Sequence, residues 1–205
     1  MAFRSSWLSS FLLVFGLLAS SAPAWADGSE AETRVREANE RLRELLGSDP
    51  DGEELHQLVD SLLDYDGLAQ RALTAHWDRL TQAQKDEFLA LFRQLVARAY
   101  RDNLKETLDN IAIDFLGWEV TTGGSVLVKT RVRKLQTRRN RRAETMITYE
   151  MHLVDGAWKM VDVMTDDVSL VGSYRDSFNN IIGEAQSFDA GWADLTNRMK
   201  RKLEE

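Results

Sequence analysis

Carboxylates such as Asp114, Asp162, Asp166 and Asp167, among 33 Asp and Glu, and three histidines, His56, His76 and His152, are side chains that could move a proton or hold a metal. The histidines lie far apart, there is no HExxH, no two His fall at helical spacing and the chain has no Cys, so no tetrahedral ligand set can be read. Each His reads as a surface or internally satisfied side chain. No G-x-S-x-G elbow occurs, and Gly172-Ser173 lacks both the second Gly and the strand-turn-helix context of a nucleophile; Ser169 reads as a helix cap. An aspartate held between a sheet and its helices would serve as the general base of an isomerase-type enzyme, although nothing local singles one out. Gly123-Gly124 is turn chemistry, not a phosphate loop.

A second feature is charge. Seven of the twelve residues from Arg131 to Arg142 are basic and none is acidic, in a chain whose net charge is -7. Two readings stand: a solvated hairpin tip that resists edge pairing, or a docking patch, centred on Arg138, Arg139 and Arg141, for an acidic partner or anionic headgroups. The acidic balance of the rest argues against nucleic acid as a partner.

Period and punctuation define the elements that must hold these residues. Val35, Ala38, Leu42, Leu45 and Leu46 recur at helical spacing over Glu30 to Leu46, and further helices are expected over Glu53 to Leu63 and from Asp64 through Leu68, Ala69 and Leu73, closed by Trp77. Thr81-Gln82-Ala83-Gln84 is a capping box. It opens a long helix carrying Phe88, Leu91, Phe92, Leu95, Val96, Ala99, Tyr100 and Leu104 on one face. From Ile111 the period becomes two. Strands are expected over Ile111 to Thr121, Ser125 to Leu135 (Val126, Val128 and Val132 on one face), Ala143 to Leu153 (Ile147, Tyr149, Met151 and Leu153 aligned) and Trp158 to Met164, with a type I′ turn at Asp155-Gly156. Ser169 should cap a helix through Tyr174, Phe178, Ile181 and Ile182, and Trp192 to Leu203 forms the last one. Helices at 30–107, a four-stranded antiparallel sheet at 111–166 and helices at 169–203 mean α+β, with helices packed on one face of a twisted sheet.

Arg4, the apolar run Trp7 to Leu18 and the A-x-A sites Ala22-Pro23-Ala24 and Ala24-Trp25-Ala26 read as a secretory signal peptide over residues 1–26. Cleavage would leave residues 27–205 as one domain, without a lipid-anchoring Cys and without disulfides, folding on its core alone.

One stretch carries a family resemblance. Val161-Asp162-Val163-Met164, then Val168-Ser169-Leu170-Val171, Tyr174-Arg175 and Phe178 are similar to the signature of the MlaC and toluene-tolerance proteins. Leu73, Trp77, Gln84, Phe88, Phe92 and Tyr100, and Tyr149 with Trp158-Lys159-Met160, extend the likeness over about Leu55 to Leu203. Three positions depart from it: Thr74 and Asp167 stand where the family usually has Gly, and Ser173 where Asn is common.

The resemblance implies an NTF2-like or cystatin-like sheet with helices over its concave face and a pocket between them for acyl chains. It implies a non-enzymatic, monomeric, periplasmic carrier without a cofactor, moving phospholipid between an inner-membrane ABC transporter with an MCE-domain ring and an outer-membrane lipoprotein complex; related members carry hopanoids. Leu73, Trp77, Phe92, Val96, Tyr100, Tyr149, Met151 and Val163 are the expected pocket residues. Tyr174 and Arg175 are expected to fix the last helices, the guanidinium pairing with a carboxylate such as Asp162.

Overall fold

Why the elements begin and end where they do follows largely from caps and turns. The computed structural model describes residues 28–49, 52–108, 111–134 and 144–204, with the side chains of 99–108 and 134 excepted. Helix α1, Gly28–Ser48, buries Ala31, Val35, Ala38, Leu42, Leu45 and Leu46, the stripe its period demands. Helix α2 spans Glu53–Leu62. Helix α3, Tyr65–Leu73, starts where the Asp64 carboxylate accepts the Gly67 amide at 3.0 Å. A 3-10 helix, Thr74–Arg79, follows. The capping box is formed at the start of α4, Gln82–Leu108: Gln84 N donates to Thr81 Oγ1 at 3.3 Å, and Gln84 Oε1 accepts from Thr81 N at 2.9 Å.

The sheet has five antiparallel strands, not four: β1 Ile111–Val120, β2 Val126–Lys134, β3 Glu144–Val154, β4 Ala157–Thr165 and β5 Val168–Ser169, in that order. Strand β5 escapes a sequence reading because two residues have no period; it exists because Val168 and Ser169 pair with Thr165 and Met164. The sheet is open, with β1 and β5 at its edges. Asp155 and Gly156 both take positive φ, 51° and 78°, the signature of the expected type I′ turn. Helix α5, Leu170–Gly183, is capped by Ser169, whose Oγ accepts the Gly172 amide at 2.7 Å. Helix α6, Phe188–Glu204, begins before the expected Trp192.

Register places one apolar face against the helices. Across it run Trp118, Val128, Tyr149 and Val163; Val120, Val126, Met151 and Met160; and Phe115, Thr130, Ile147 and Thr165. Leu153 belongs to this face by alternation, yet it is 52% exposed. The reason is that the pairing of β2 with β3 stops at Val126 and Met151, leaving Leu153 beyond the covered part of the sheet. On the helical side, Phe88 and Phe92 stack on each other, Phe88 meets Phe178 and Trp192, and Phe92 meets Tyr65 and Tyr174 edge-on. These rings bind α4 to α3, α5 and α6. Gly191 is required here, since a Cβ would lie 2.8 Å from the Ile182 backbone.

Candidate functional site

The apolar face of the sheet is unevenly covered: Ile111 and Thr130 are buried within it, while Trp118 and Val120 on β1 are 41% and 40% exposed. Val126, Val128, Met151 and Met160 are buried, whereas Ile113, Phe115, Val132, Ile147, Tyr149 and Val163 are only half-buried. Helix α1 crosses this face. The Trp158 indole donates toward Glu30 at 3.5 Å near its start, Arg36 stacks over Phe115 at 3.8 Å, and Arg43 donates to the Ile111 carbonyl at 3.2 Å near its end. Helix α4 packs on α6, on α3 and more sparingly on α1; among the described residues no strand packs against it to that degree. Its Leu95 and Val96 are half-buried at the margin of the core, like the open part of the sheet. Protein interiors ordinarily close over such side chains. Half-covered apolar walls attached to one core are what an apolar ligand completes.

Leu73, Trp77, Phe92 and Met151 sit inside the core, and Val96, Tyr149 and Val163 pack around it half-buried. Tyr149 and Val163 are direct cross-strand partners. The side chain of Tyr100 and the residues Arg138, Arg139 and Arg141 lie outside the described residues. Ile113, Phe115 and Val132 share the open face with Tyr149. Period two was the signal for them, but only pairing showed which face of β1 turns inward.

Burial pushes the Tyr149 hydroxyl above its ordinary pKa, opposed by hydrogen bonds with Asn39 and Thr130. The site is thus apolar with one neutral polar point.

Three of the four aspartates are engaged in hydrogen bonds. Arg133 grips Asp114 through two bonds of 2.8 Å, and this hydrogen bonding, with the charges of Arg133 and Arg131, holds its carboxyl below the usual range. Asp162 accepts from Val163 N, Ser169 Oγ and Val171 N. Asp166 accepts from Met146 N at 2.9 Å, and Asp167 is exposed. The expected pairing of Arg175 with Asp162 is absent: Arg175 lies 3.6 Å from Asp176, and backbone amides and Ser169 occupy the Asp162 carboxylate.

Ser125, His152 and Glu150 do come together, but not as a nucleophilic triad. Ser125 Oγ, Glu150 Oε1 and an Arg71 nitrogen all approach the same ring atom, His152 Nε2, at 2.9, 3.3 and 3.1 Å. A triad needs the acid on the other ring nitrogen. Ser125 Oγ also lies 2.9 Å from Glu150 Oε1 and Arg71 pairs with the same carboxylate, so the cluster ties α3 to β3 and the start of β2. Among the described residues no three His, Cys, Asp or Glu gather as a metal site, and no helix is long and apolar enough to cross a membrane. The basic stretch is partly neutralised where described: Arg133 pairs with Asp114, and Arg131 lies 3.7 Å from Glu144.

No curated protein matches the chain. Among solved structures, the phospholipid-binding protein from Ralstonia solanacearum, determined in complex with a phospholipid, superposes with a TM-score of 0.66 at 18% identity, over 87% of this chain and 98% of that one. A likeness at that identity speaks for the fold. The sequence model of the MlaC protein family matches residues 42–200, from the second half of α1 into α6 and through every strand, and on that match the chain belongs to the MlaC family.

Proposed function

We propose that this chain is a soluble periplasmic phospholipid carrier, catalysing no reaction, with the acyl chains lying on the half-open face of the sheet. The observation that carries the reading is that Ile113, Val132, Tyr149 and Val163 stay half-buried on the same apolar face as buried Val126, Val128 and Met151, in a member of the MlaC family. The fold shared with a phospholipid-bound protein supports it. Residues 27–205 act as one lipid-binding domain after removal of a leader at 1–26, and the helices and sheet form the cradle of an NTF2-like or cystatin-like pocket. Leu73, Trp77, Phe92 and Met151 form its floor, and Val96, Tyr100, Tyr149 and Val163 its walls.

Energetics suit a shuttle. A diacyl lipid has on the order of 30 methylenes worth about 0.8 kcal/mol each on burial, hence about 24 kcal/mol gross. Leaving a bilayer forfeits a similar sum, so exchange is near balance and its rate is set by whatever opens the site. Docking on an inner-membrane ABC transporter with an MCE ring, and on an outer-membrane lipoprotein complex, supplies that step, with Arg138, Arg139 and Arg141 as a contact patch. Charge reversal at these three should slow transfer between membranes without unfolding the protein.

The test is mass spectrometry of an organic extract of the protein purified from the periplasm. Phospholipid at about one equivalent is expected. A hopanoid in its place would change the cargo, and an extract without lipid would end the carrier reading.

A further inference from the structure

A groove of about 320 Å³ runs between α1 and the first half of β1, with Arg36, Asn39, Glu40 and Arg43 on one wall and Ile113 and Phe115 on the other. The four polar residues fall at i, i+3, i+4 and i+7, on one face of the helix. Arg36 is anchored over the Phe115 ring and by an ion pair with Glu32, and Arg43 by the Ile111 carbonyl. A guanidinium carries five N–H donors in a fixed fork, so an anchored arginine still binds a second anion. Ile113 and Phe115 belong to the partly covered apolar face, and Asn39 donates to the Val35 carbonyl at 2.9 Å. The groove therefore adjoins the surface assigned above to acyl chains. Its volume is at the lower end for ligand sites, room for a headgroup and not for two acyl chains.

We propose that this groove is a headgroup subsite that selects a zwitterionic phospholipid bearing a primary ammonium. Arg36 and Arg43 take the phosphodiester oxygens, and Glu40, one turn from Arg36, takes the ammonium. A phosphoglycerol headgroup supplies hydroxyls where Glu40 meets a cation, which leaves that carboxylate unneutralised. A quaternary choline offers it no N–H donor. The inference rests on the carrier reading.

The experiment strips the purified protein of lipid. It is then incubated with vesicles of equimolar phosphatidylethanolamine and phosphatidylglycerol with identical acyl chains, and the re-isolated protein is extracted for mass spectrometry. Identical chains cancel the apolar contribution, so the ratio reports the headgroup alone. Wild type is expected to take up ethanolamine lipid in about fivefold excess, the scale of one partly exposed charge-assisted contact. Glu40→Gln should bring the ratio to about parity and Glu40→Lys should invert it, with the melting temperature unchanged because Glu40 is exposed. Equal uptake by wild type, or a ratio indifferent to both Glu40 variants, overturns the subsite while leaving the carrier intact. Absence of any lipid from wild type overturns the carrier reading and this inference with it.

Discussion

Ser169 is bonded in two directions at once: its hydroxyl lies 2.5 Å from Asp162 Oδ2, while its oxygen accepts the Gly172 amide at 2.7 Å. Asp162 also accepts from Val163 N at 2.7 Å and Val171 N at 3.1 Å. One buried carboxylate thus joins β4, β5 and the first turn of α5. The Asp-Val and Val-Ser-Leu-Val elements of the family signature are the two halves of this joint, and their role is architectural.

Replacing Asp162 with Asn keeps the size and can leave a carbonyl oxygen on the Val163 and Val171 amides, but it sets an NH2 against the Ser169 hydroxyl, whose proton loses its acceptor. A loss of about 2 kcal/mol is expected in urea unfolding, against about 1 kcal/mol for Ser169→Ala. Because the two share a bond, the double variant should fall short of additivity by at least about 0.5 kcal/mol. Strict additivity would show that the joint is not a single unit.

Thr74 and Asp167, the two places where the family usually has Gly, both have left-handed backbone. Thr74 has φ 47° and ψ -126°, and Asp167 has φ 66°. A β-branched residue is strained there, and Asp less so. Thr74→Gly should stabilise by about 1 kcal/mol and Asp167→Gly by about 0.5 kcal/mol in denaturant melts. A destabilised Thr74→Gly protein would mean that the backbone at this position is not strained.

Val96 and Phe92 should respond differently to substitution. Phe92 contacts Phe88, Tyr65 and Tyr174 in the ring cluster, so Phe92→Ala should cost about 3–4 kcal/mol in stability. Val96 is half-buried at the edge of the core. Val96→Arg should abolish lipid co-purification while the circular dichroism spectrum stays native. If Val96→Arg retains a full equivalent of lipid, α4 does not line the site.

Tyr149 should titrate above the ordinary tyrosine range, since burial raises its pKa more than Asn39 and Thr130 lower it. A folded pKa above the unfolded one means that the neutral phenol favours the fold. This stability is complete below the unfolded pKa, about 10, and is lost as pH rises through the folded value. Tyrosinate absorbance should therefore show a late alkaline phase that disappears in Tyr149→Phe. An unchanged profile in that variant would assign the late phase elsewhere.

Much of the architecture was legible because local rules set it. The Thr81 capping box, the Asp155-Gly156 turn, the Ser169 cap, the apolar stripe of α1 and that of α4 from Phe88 to Val96 depend on neighbours within a few residues, and each formed as its pattern requires. What failed to show were features made by partners distant in sequence. Strand β5 exists only through Met164 and Thr165, Leu153 is exposed where β2, which begins at Val126, does not reach it, and Arg175 does not pair with Asp162, whose carboxylate is taken by Val163, Ser169 and Val171. Period two showed that β1 to β3 have an apolar face without showing how much of it the helices cover. The sequence by itself determined the element types and the family, because propensity, caps and periodicity act locally. Only the tertiary structure decided which part of the sheet stays half-open and which arginines, Arg36 and Arg43, border it, because burial and charge placement depend on how α1 and α4 lie over strands far along the chain.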